Sequence, residues 1–262
     1  FMTKSKTIWL LGGFGNVLFH LFYAFLLRKH GFDVSICPIL TENNFIVRIF
    51  GWTIHKPIYK RFCDEYKITR PFWSYAALSY THKRIGINLG IPFIRNNQHF
   101  IPPPKEENLF GYFQNEKQIA IHNDVFLEFC DSIFKLLPEF NRYERVVHFR
   151  GSDSSIAASH YAYYQRVKSS VQGLPVTIVT DSLKTAKQFF GDKKNITYIS
   201  SDDPLDDFVA LTNAKQMFCG PSTFSWWAMH ISKNAEKIYI PQYLKENLGV
   251  FRSDLEVNIL SN

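Results

Sequence analysis

The residues best suited to chemistry stand in the segment 148–153, which reads His-Phe-Arg-Gly-Ser-Asp. An arginine such as Arg150 can bind two oxygens of a diphosphate at once and neutralise the charge of a leaving group. Asp153 could orient that arginine, and His148 could donate a hydrogen bond to a phosphate oxygen. Taken alone, the segment fits a surface salt bridge beside a capped turn equally well.

Two further segments could bind an anion. Residues 12–16 (GGFGN) and 220–227 (GPSTFSWW) each stand between a predicted strand and a predicted helix. Free backbone N–H groups and the helix dipole attract phosphate at such a turn. A structural tight turn explains the first segment as well, and an ordinary N-cap with core tryptophans explains the second. Three anion-suited turns in one chain favour a diphosphate bound between two halves.

An α/β pattern positions these segments. Residues 7–11 and 34–40 are predicted strands flanking an apolar helix at 16–30, and a linker is predicted at 138–142. The later elements are a helix at 124–137, strands at 145–149, 176–180, 196–200, 216–219 and 237–240, the last of the chain, and helices at 161–171, 183–190, 206–214 and 224–232. This alternation predicts parallel sheets with helices on both faces, whose ligands bind beyond the carboxyl ends of the strands. We predict an N-terminal α/β domain at 1–141 and a C-terminal Rossmann-like domain at 142–262.

Composition narrows the function. The 262 residues carry a formal charge of +7, which suits an anionic partner, but the basic residues are scattered and match no nucleic-acid motif. No signal peptide and no membrane span are evident, so we expect a cytoplasmic protein, with peripheral contact at the inner face of the membrane compatible with its charge.

No metal site is predicted. The four cysteines lack metal-ligand spacing and are expected to be reduced, buried thiols: Cys37, Cys63, Cys130 and Cys219. The adjacent Asp202 and Asp203 superficially resemble a paired-carboxylate metal motif. We expect them instead to cap the helix that follows Pro204.

Four segments together carry a family resemblance. Residues 12–16, 111–114 (GYFQ), 148–153 and 222–227 (STFSWW) occur in the order found in the α-1,2-fucosyltransferases of glycosyltransferase family 11. The chain resembles that family from about residue 8 to 240. The resemblance implies a GT-B-like fold with two Rossmann-like halves and the active site in the cleft between them. It also implies GDP-fucose as donor, inversion at the anomeric carbon, and no required metal or cofactor.

The same resemblance implies an acceptor and individual roles. The acceptor would be a galactose-type hydroxyl of a glycan, often lipid-linked, in bacterial surface polysaccharide (O-antigen) synthesis. Arg150 would hold the β-phosphate with His148 nearby, and Arg150 and Asp153 are the predicted catalytic residues. Asp207 would read the guanine edge, and Asp181 would belong to the donor site. The remaining predicted donor-site residues are Phe14, Gly15, Asn16, Ser222, Thr223 and Phe224.

Several positions depart from the expected patterns and leave alternatives open. Gly151 stands where the family usually has a second arginine, so a non-catalytic nucleotide-sugar or glycan-binding module with a degraded site is one alternative. Val17 stands where the family favours glutamine. A dinucleotide oxidoreductase is a second alternative, although Leu18 replaces the third glycine of its fingerprint and Asp33 precedes the second strand instead of ending it. The general base is unassigned; His20 is a candidate, and a core or surface role explains it too.

Overall fold

The computed structural model describes residues 5–38, 62, 66–69, 93–94, 108–139, 141–151 and 160–260. The chain divides into two compact units, Phe1–Phe129 and Cys130–Asn262. This boundary lies within a helix, Asn123–Leu136, twelve residues before the boundary that the sequence suggests.

The first unit contains a parallel sheet. Its strands follow the order β3-β2-β1-β5-β4, and every pair of neighbours runs parallel. The strands are β1 (Ser5–Trp9), β2 (Asp33–Cys37), β3 (Lys67–Ile68), β4 (Phe93–Ile94) and β5 (Asn108–Gly111), and the helices are α1 (Phe14–Lys29), α2 (Glu116–Ile121) and α3 (Asn123–Leu136).

Helix α1 fixes the position of the first glycine segment. It is apolar on most of its faces and most of its side chains are buried, so it lies in the interior of its unit. Phe22 packs against Phe126 and Phe129 of α3, with ring centroids 5.5 and 5.7 Å away. Gly31, with a φ of +80°, lies just beyond its end.

The second unit contains a six-stranded parallel sheet in the order β11-β10-β9-β6-β7-β8. Its strands are β6 (Tyr143–Phe149), β7 (Val176–Thr180), β8 (Ile196–Ile199), β9 (Ala214–Phe218), β10 (Lys237–Pro241) and β11 (Glu256–Leu260), and its helices are α4 (Tyr161–Ser170), α5 (Leu183–Phe190), α6 (Pro204–Thr212), α7 (Thr223–Ile231) and α8 (Gln242–Leu248). Strands β6, β7 and β8 lead to one edge of the sheet, and β9, β10 and β11 lead to the other, which is the order of a Rossmann sheet. The order in which strands are added to the sheet therefore reverses between the neighbours β6 and β9.

The predicted α/β class with parallel sheets is confirmed, although the bounds of several elements differ from the predicted ones. The strand predicted at 237–240 is not the last, because α8 and β11 follow it. Helix α6 begins at Pro204, two residues before the predicted start, because Asp203 caps it by accepting a hydrogen bond from the Leu205 N–H at 3.0 Å. The expectation that this acidic pair caps the helix is thereby confirmed for Asp203.

Helix α7 is the most deeply buried element beside the sheet of the second unit. Trp226 and Trp227 are fully buried in it, and their rings meet edge to face at 5.0 Å. Such large aromatic side chains fix a helix firmly in a core. The start of α7 is consequently held close to the end of β9.

Three further observations concern the described residues alone. No helix among them is long and apolar enough to cross a membrane. They also contain no group of three or more metal-ligating side chains. Three cysteines are buried free thiols, namely Cys37, Cys130 and Cys219, whereas Cys63 lies outside the described residues.

Candidate functional site

The reversal of strand order between β6 and β9 brings two of the predicted anion-binding segments together. Ligands of doubly wound sheets bind at such a point, outside the carboxyl ends of the strands. A methyl group at Gly220 would come within 2.7 Å of Nδ1 and 2.8 Å of the carbonyl oxygen of His148. Only glycine therefore allows the turn after β9 to lie this close to the end of β6.

Arg150 follows β6 at this edge of the sheet. Its backbone N–H donates to the hydroxyl oxygen of Tyr164 at 3.2 Å, which holds the main chain in place. Its side-chain Nε is buried, and it has no hydrogen-bond partner among the described residues. An unpaired buried donor costs about 1–3 kcal/mol. Arg150 is thus a cation in the ligand-binding position of the sheet, with a donor that a ligand oxygen could satisfy.

The start of α7 lies at the same edge. Ser222 caps the helix, and its Oγ accepts a hydrogen bond from the Ser225 N–H at 3.3 Å. Ser222 is 5% exposed, while Thr223 and Phe224 are partly buried. The N-cap and the core tryptophans are as the structural explanation predicts. The site explanation is compatible with the same geometry, because the positive end of the helix dipole lies beside the turn that follows β9.

His148 is the second-last residue of β6, and it is 7% exposed. Its Nδ1 lies 2.5 Å from Ser225 Oγ, and its ring centroid lies 5.2 Å from that of Phe224. Burial lowers the pKa of His148 well below its usual range; the Asp181 carboxylate opposes this shift and the Arg150 charge adds to it. The imidazole is therefore uncharged at neutral pH.

Gly151 and Asp181 connect the ends of β6 and β7. Asp181 Oδ1 accepts a hydrogen bond from the Gly151 N–H at 2.7 Å. A methyl group at Gly151 would lie 3.0–3.2 Å from side-chain carbons of Phe149, Thr185 and Ser182. A larger side chain there would require these neighbours to move. Arg150 is accordingly the one arginine of segment 148–153.

Asp207 lies in the first turn of α6, and its Oδ1 accepts a hydrogen bond from the Ser201 N–H at 3.2 Å. Burial raises its pKa to about 7. The Ser201 hydrogen bond opposes that shift, and the charges of Asp206, Asp181 and Asp203 add to it.

In the first unit, the segments after β1 and β5 meet. Gly12 has a φ of +76°, a conformation that favours glycine, and a methyl group there would lie 2.5 Å from Asn16 Nδ2 and displace that side chain. Asn16 Oδ1 accepts a hydrogen bond from Gln114 Nε2 at 2.7 Å. Phe14 and Gly15 are buried within α1. Their predicted contact with the donor stays a prediction.

The segment after β5 has a strained backbone. Phe113 has a φ of +55°, which is rare for a bulky residue and costs about 1–3 kcal/mol. Its buried ring stacks on Tyr23 at 4.5 Å and meets His20 edge-on at 5.4 Å. His20 is fully buried, its Nε2 lies 2.7 Å from the Gly111 carbonyl oxygen, and burial lowers its pKa to about 4. His20 is thus a core histidine, as the non-catalytic explanation predicts.

The structure groups most, but not all, of the predicted site residues. His148, Arg150 and Asp181 gather at one edge of the second sheet together with the start of α7. The predicted catalytic Asp153 lies outside the described residues, so its role stays a prediction. Sequence reasoning did not single out Ser225 or Tyr164. The Ser-x-x-Ser spacing within 222–225 is a possible signal for the first, and no local pattern marks the second.

Sequence comparison finds a carbohydrate-related protein. No family model matches the chain. The chain is 25% identical over 159 residues to the O-antigen biosynthesis glycosyltransferase WbnK of Escherichia coli. The match covers 50% of this chain and 53% of that protein, so the similarity spans about half the length of each.

Structural comparison finds loosely similar proteins. An α-1,6-fucosyltransferase, NodZ, from a crystal soaked with GDP-fucose is 14% identical, with a TM-score of 0.43 over 90% of this chain and 94% of that one. NodZ from Bradyrhizobium gives 14%, a TM-score of 0.44, and coverage of 90% and 96%. The heptosyltransferase WaaC of E. coli with ADP gives 10%, a TM-score of 0.47, and coverage of 97% and 93%. All three TM-scores are below 0.5.

Proposed function

We propose that the protein is an inverting glycosyltransferase that transfers L-fucose from GDP-β-L-fucose to a galactose-type hydroxyl of a glycan. The linkage formed is α-1,2, and the product belongs to a bacterial surface polysaccharide such as O-antigen. The partial similarity to an O-antigen glycosyltransferase supports the general class of this proposal. The resemblance of the four segments to glycosyltransferase family 11 supports the donor and the linkage.

One observation carries the proposal. The buried Nε of Arg150 has no partner among the described residues, and it stands where the Rossmann order of the second sheet directs a ligand. A diphosphate oxygen would satisfy this donor, and the N-terminal end of α7 would stabilise a second part of the same charge. Asp207, as a carboxylate, would accept hydrogen bonds from the guanine edge. The four segments that carry the family resemblance include both parts of this site.

The reaction is a single in-line displacement. An acceptor hydroxyl oxygen forms a bond to the anomeric carbon of fucose while the bond from that carbon to the β-phosphate oxygen breaks. GDP leaves with the electron pair, and the acceptor proton passes to a base that the described residues do not identify. Negative charge grows on the departing GDP, so a preorganised cation such as Arg150 stabilises the transition state by about 2.7–4 kcal/mol.

The direct test is turnover with GDP-fucose. The protein would be incubated with GDP-fucose and a panel of glycans, some ending in galactose and some not, and released GDP would be measured. The proposal predicts GDP release only with galactose-type acceptors, and a fucosylated product whose new linkage is α-1,2 by NMR. Transfer from another nucleotide sugar, with release of its nucleotide, in place of transfer from GDP-fucose would contradict the donor assignment.

The surroundings of Gly151 favour one alternative, a non-catalytic module that binds a nucleotide sugar or glycan. The tight packing around Gly151 leaves no open space for the second arginine that the family usually has. The two functions differ in a measurable way. A binding module would bind GDP-fucose in a calorimeter but release no GDP with any acceptor, and it would show no slow donor hydrolysis.

A further inference from the structure

The hydrogen bond between Ser225 and His148 links the end of β6 to the start of α7, the two parts of the candidate site. The two atoms, Ser225 Oγ and His148 Nδ1, lie 2.5 Å apart, although the residues are 77 positions apart in the chain. Both side chains are buried, with Ser225 at 0% and His148 at 7% exposure. One of the two groups donates in this hydrogen bond, and which one donates determines which ring nitrogen of His148 carries the proton.

The neighbours of Ser225 settle that direction. The Gly220 N–H can only donate, and it does so to Ser225 Oγ at 3.1 Å. The hydroxyl proton of Ser225 then has two possible acceptors, His148 Nδ1 at 2.5 Å and Ser222 Oγ at 3.5 Å. The second distance is at the limit of a hydrogen bond, and Ser222 Oγ already caps α7. Ser225 therefore donates to His148.

A ring nitrogen that accepts a hydrogen bond carries no proton. Because His148 is uncharged, its single proton resides on the other nitrogen, Nε2. No described residue forms a hydrogen bond with Nε2. The ring lies against Phe224, at the start of α7, and Arg150 follows two residues later in the chain.

We infer that Ser225 is a positioning residue: its hydroxyl fixes the His148 tautomer that presents an N–H at Nε2 as a donor for a phosphate oxygen of the bound nucleotide. The inference rests on the proposed function for the identity of the ligand, but not for the tautomer. A neutral donor complements Arg150 because it adds a hydrogen bond without adding a second charge.

The test is a measurement of the tautomer in the full-length protein. Histidine labelled with ¹⁵N would be incorporated, and two-bond ¹H–¹⁵N correlations would be recorded, with the His148 signals assigned by their loss in His148→Gln. The wild type is expected to show a protonated Nε2 and an unprotonated Nδ1. The opposite pattern in the wild type would overturn the inference without any further variant.

Two variants separate positioning from folding. In Ser225→Ala the His148 signals should move toward the other tautomer or a mixture, and GDP should bind about three- to tenfold more weakly, the scale for one lost hydrogen bond. Ser232→Ala is the matched control, because Ser232 is also fully buried beside α7 and its Oγ donates to the Thr212 carbonyl at 2.7 Å. The control should lose stability but leave the His148 tautomer unchanged. An unaltered His148 pattern in folded Ser225→Ala would overturn the inference.

Titration with GDP distinguishes this inference from the proposed function. On GDP binding, the Nε2 signal of His148 should shift as a new hydrogen bond forms. Saturable GDP binding with no change at Nε2 would overturn the donor role while leaving the nucleotide site intact. Absence of GDP binding would instead contradict the proposed function, and the tautomer would still decide the role of Ser225.

Discussion

The residues beside the two ends of helix α7 are similar in type but differ in their hydrogen bonding. Each end has a buried histidine and a nearby arginine, His148 and Arg150 at the N-terminal end and His230 and Arg252 at the C-terminal end. At the C-terminal end the side chain of Arg252 is 8% exposed, and its nitrogens donate to Asp254 and to the carbonyl oxygens that close the helix. At the N-terminal end the buried Nε of Arg150 has no partner among the described residues.

The histidines repeat the contrast. His230 uses both ring nitrogens, since Nδ1 lies 2.8 Å from the Trp226 carbonyl oxygen and Nε2 accepts from the Phe251 N–H at 3.1 Å. His148 uses Nδ1 alone among the described residues. A polar group whose partners are all within the protein stabilises the fold, whereas the unused donor of Arg150, beyond the carboxyl end of β6, can serve a ligand. Helix α7 thus has a structural end and an open end.

The largest effect should come from Arg150, at the open end. Arg150→Ala should lower kcat by about 10²–10³-fold, because a preorganised cation at the leaving group is lost. Arg150→Lys should still lower kcat by about 10²-fold, since lysine keeps the charge but not the two-pronged geometry. Steady-state kinetics with GDP-fucose measures both, and added salt should restore neither.

A melting curve controls for folding in these variants. Because the Arg150 side chain has an unsatisfied donor, its loss should leave Tm unchanged or slightly raised. A folded Arg150→Ala protein that works near the wild-type rate would remove Arg150 from the mechanism.

At the structural end, Arg252→Ala should reduce the free energy of unfolding by about 2–3 kcal/mol, because two helix-terminal carbonyls and Asp254 lose their charged partner. Chemical denaturation gives the value. The kcat of the folded fraction should stay close to wild type. If Arg252→Ala impaired kcat while Arg150→Ala impaired only stability, the two ends would have been assigned in reverse.

Two carboxylates extend the comparison. Arg252 lowers the pKa of Asp254 by a hydrogen bond, whereas burial raises the pKa of Asp207 to about 7. Asp207→Asn should weaken the preference for GDP over ADP or UDP by about 1–3 kcal/mol, the scale for a charged hydrogen bond. Calorimetric titration with the three nucleotides measures this. An unchanged preference would exclude Asp207 from the base site.

The raised pKa of Asp207 also predicts a pH effect on stability. Folded protein holds this proton at pH values where the unfolded chain has released it, so its stabilising effect is lost as pH rises toward about 7. Asp207→Asn should therefore melt at a higher temperature than wild type at pH 8, and at about the same temperature near pH 4. A constant difference across this range would show that Asp207 does not titrate in this way.

The smallest expected effect is that of chelation. If Arg150 and the start of α7 stabilise the departing diphosphate, no metal ion is needed there, and turnover should survive EDTA. The assay is GDP release with and without EDTA, followed by added Mn²⁺. Loss with EDTA and recovery with Mn²⁺ would favour a metal-dependent transferase.

The fold of the second unit could largely be predicted from sequence, because its alternating apolar strands and helices are separated by clear breaks. The strand at 176–180 and the helix at 183–190 have the predicted bounds. Strand β11 was missed because its residues are only partly buried or exposed, so it has no strong apolar pattern. Strand β6 starts two residues before the predicted start at 145. The reason is the same, since its first three residues are not fully buried.

The site was predictable only in part. His148 and Arg150 stand out as a charged motif at a strand end, which local sequence reveals. The pairing of His148 with Ser225 depends on β6 and β9 being neighbours, and that order follows from the topology of the whole sheet. The crowding around Gly151 depends likewise on the adjacent turn after β7.

The central claim is that the open end of α7 binds the diphosphate of a guanine nucleotide through Arg150. Its most direct test is the calorimetric affinity for GDP of wild type, Arg150→Ala and, as a control, Arg252→Lys, each checked for folding by its melting curve. We expect wild type and Arg252→Lys to bind GDP equally well and Arg150→Ala to bind at least about tenfold more weakly, as for one lost charged hydrogen bond. Wild-type affinity in folded Arg150→Ala would contradict the claim.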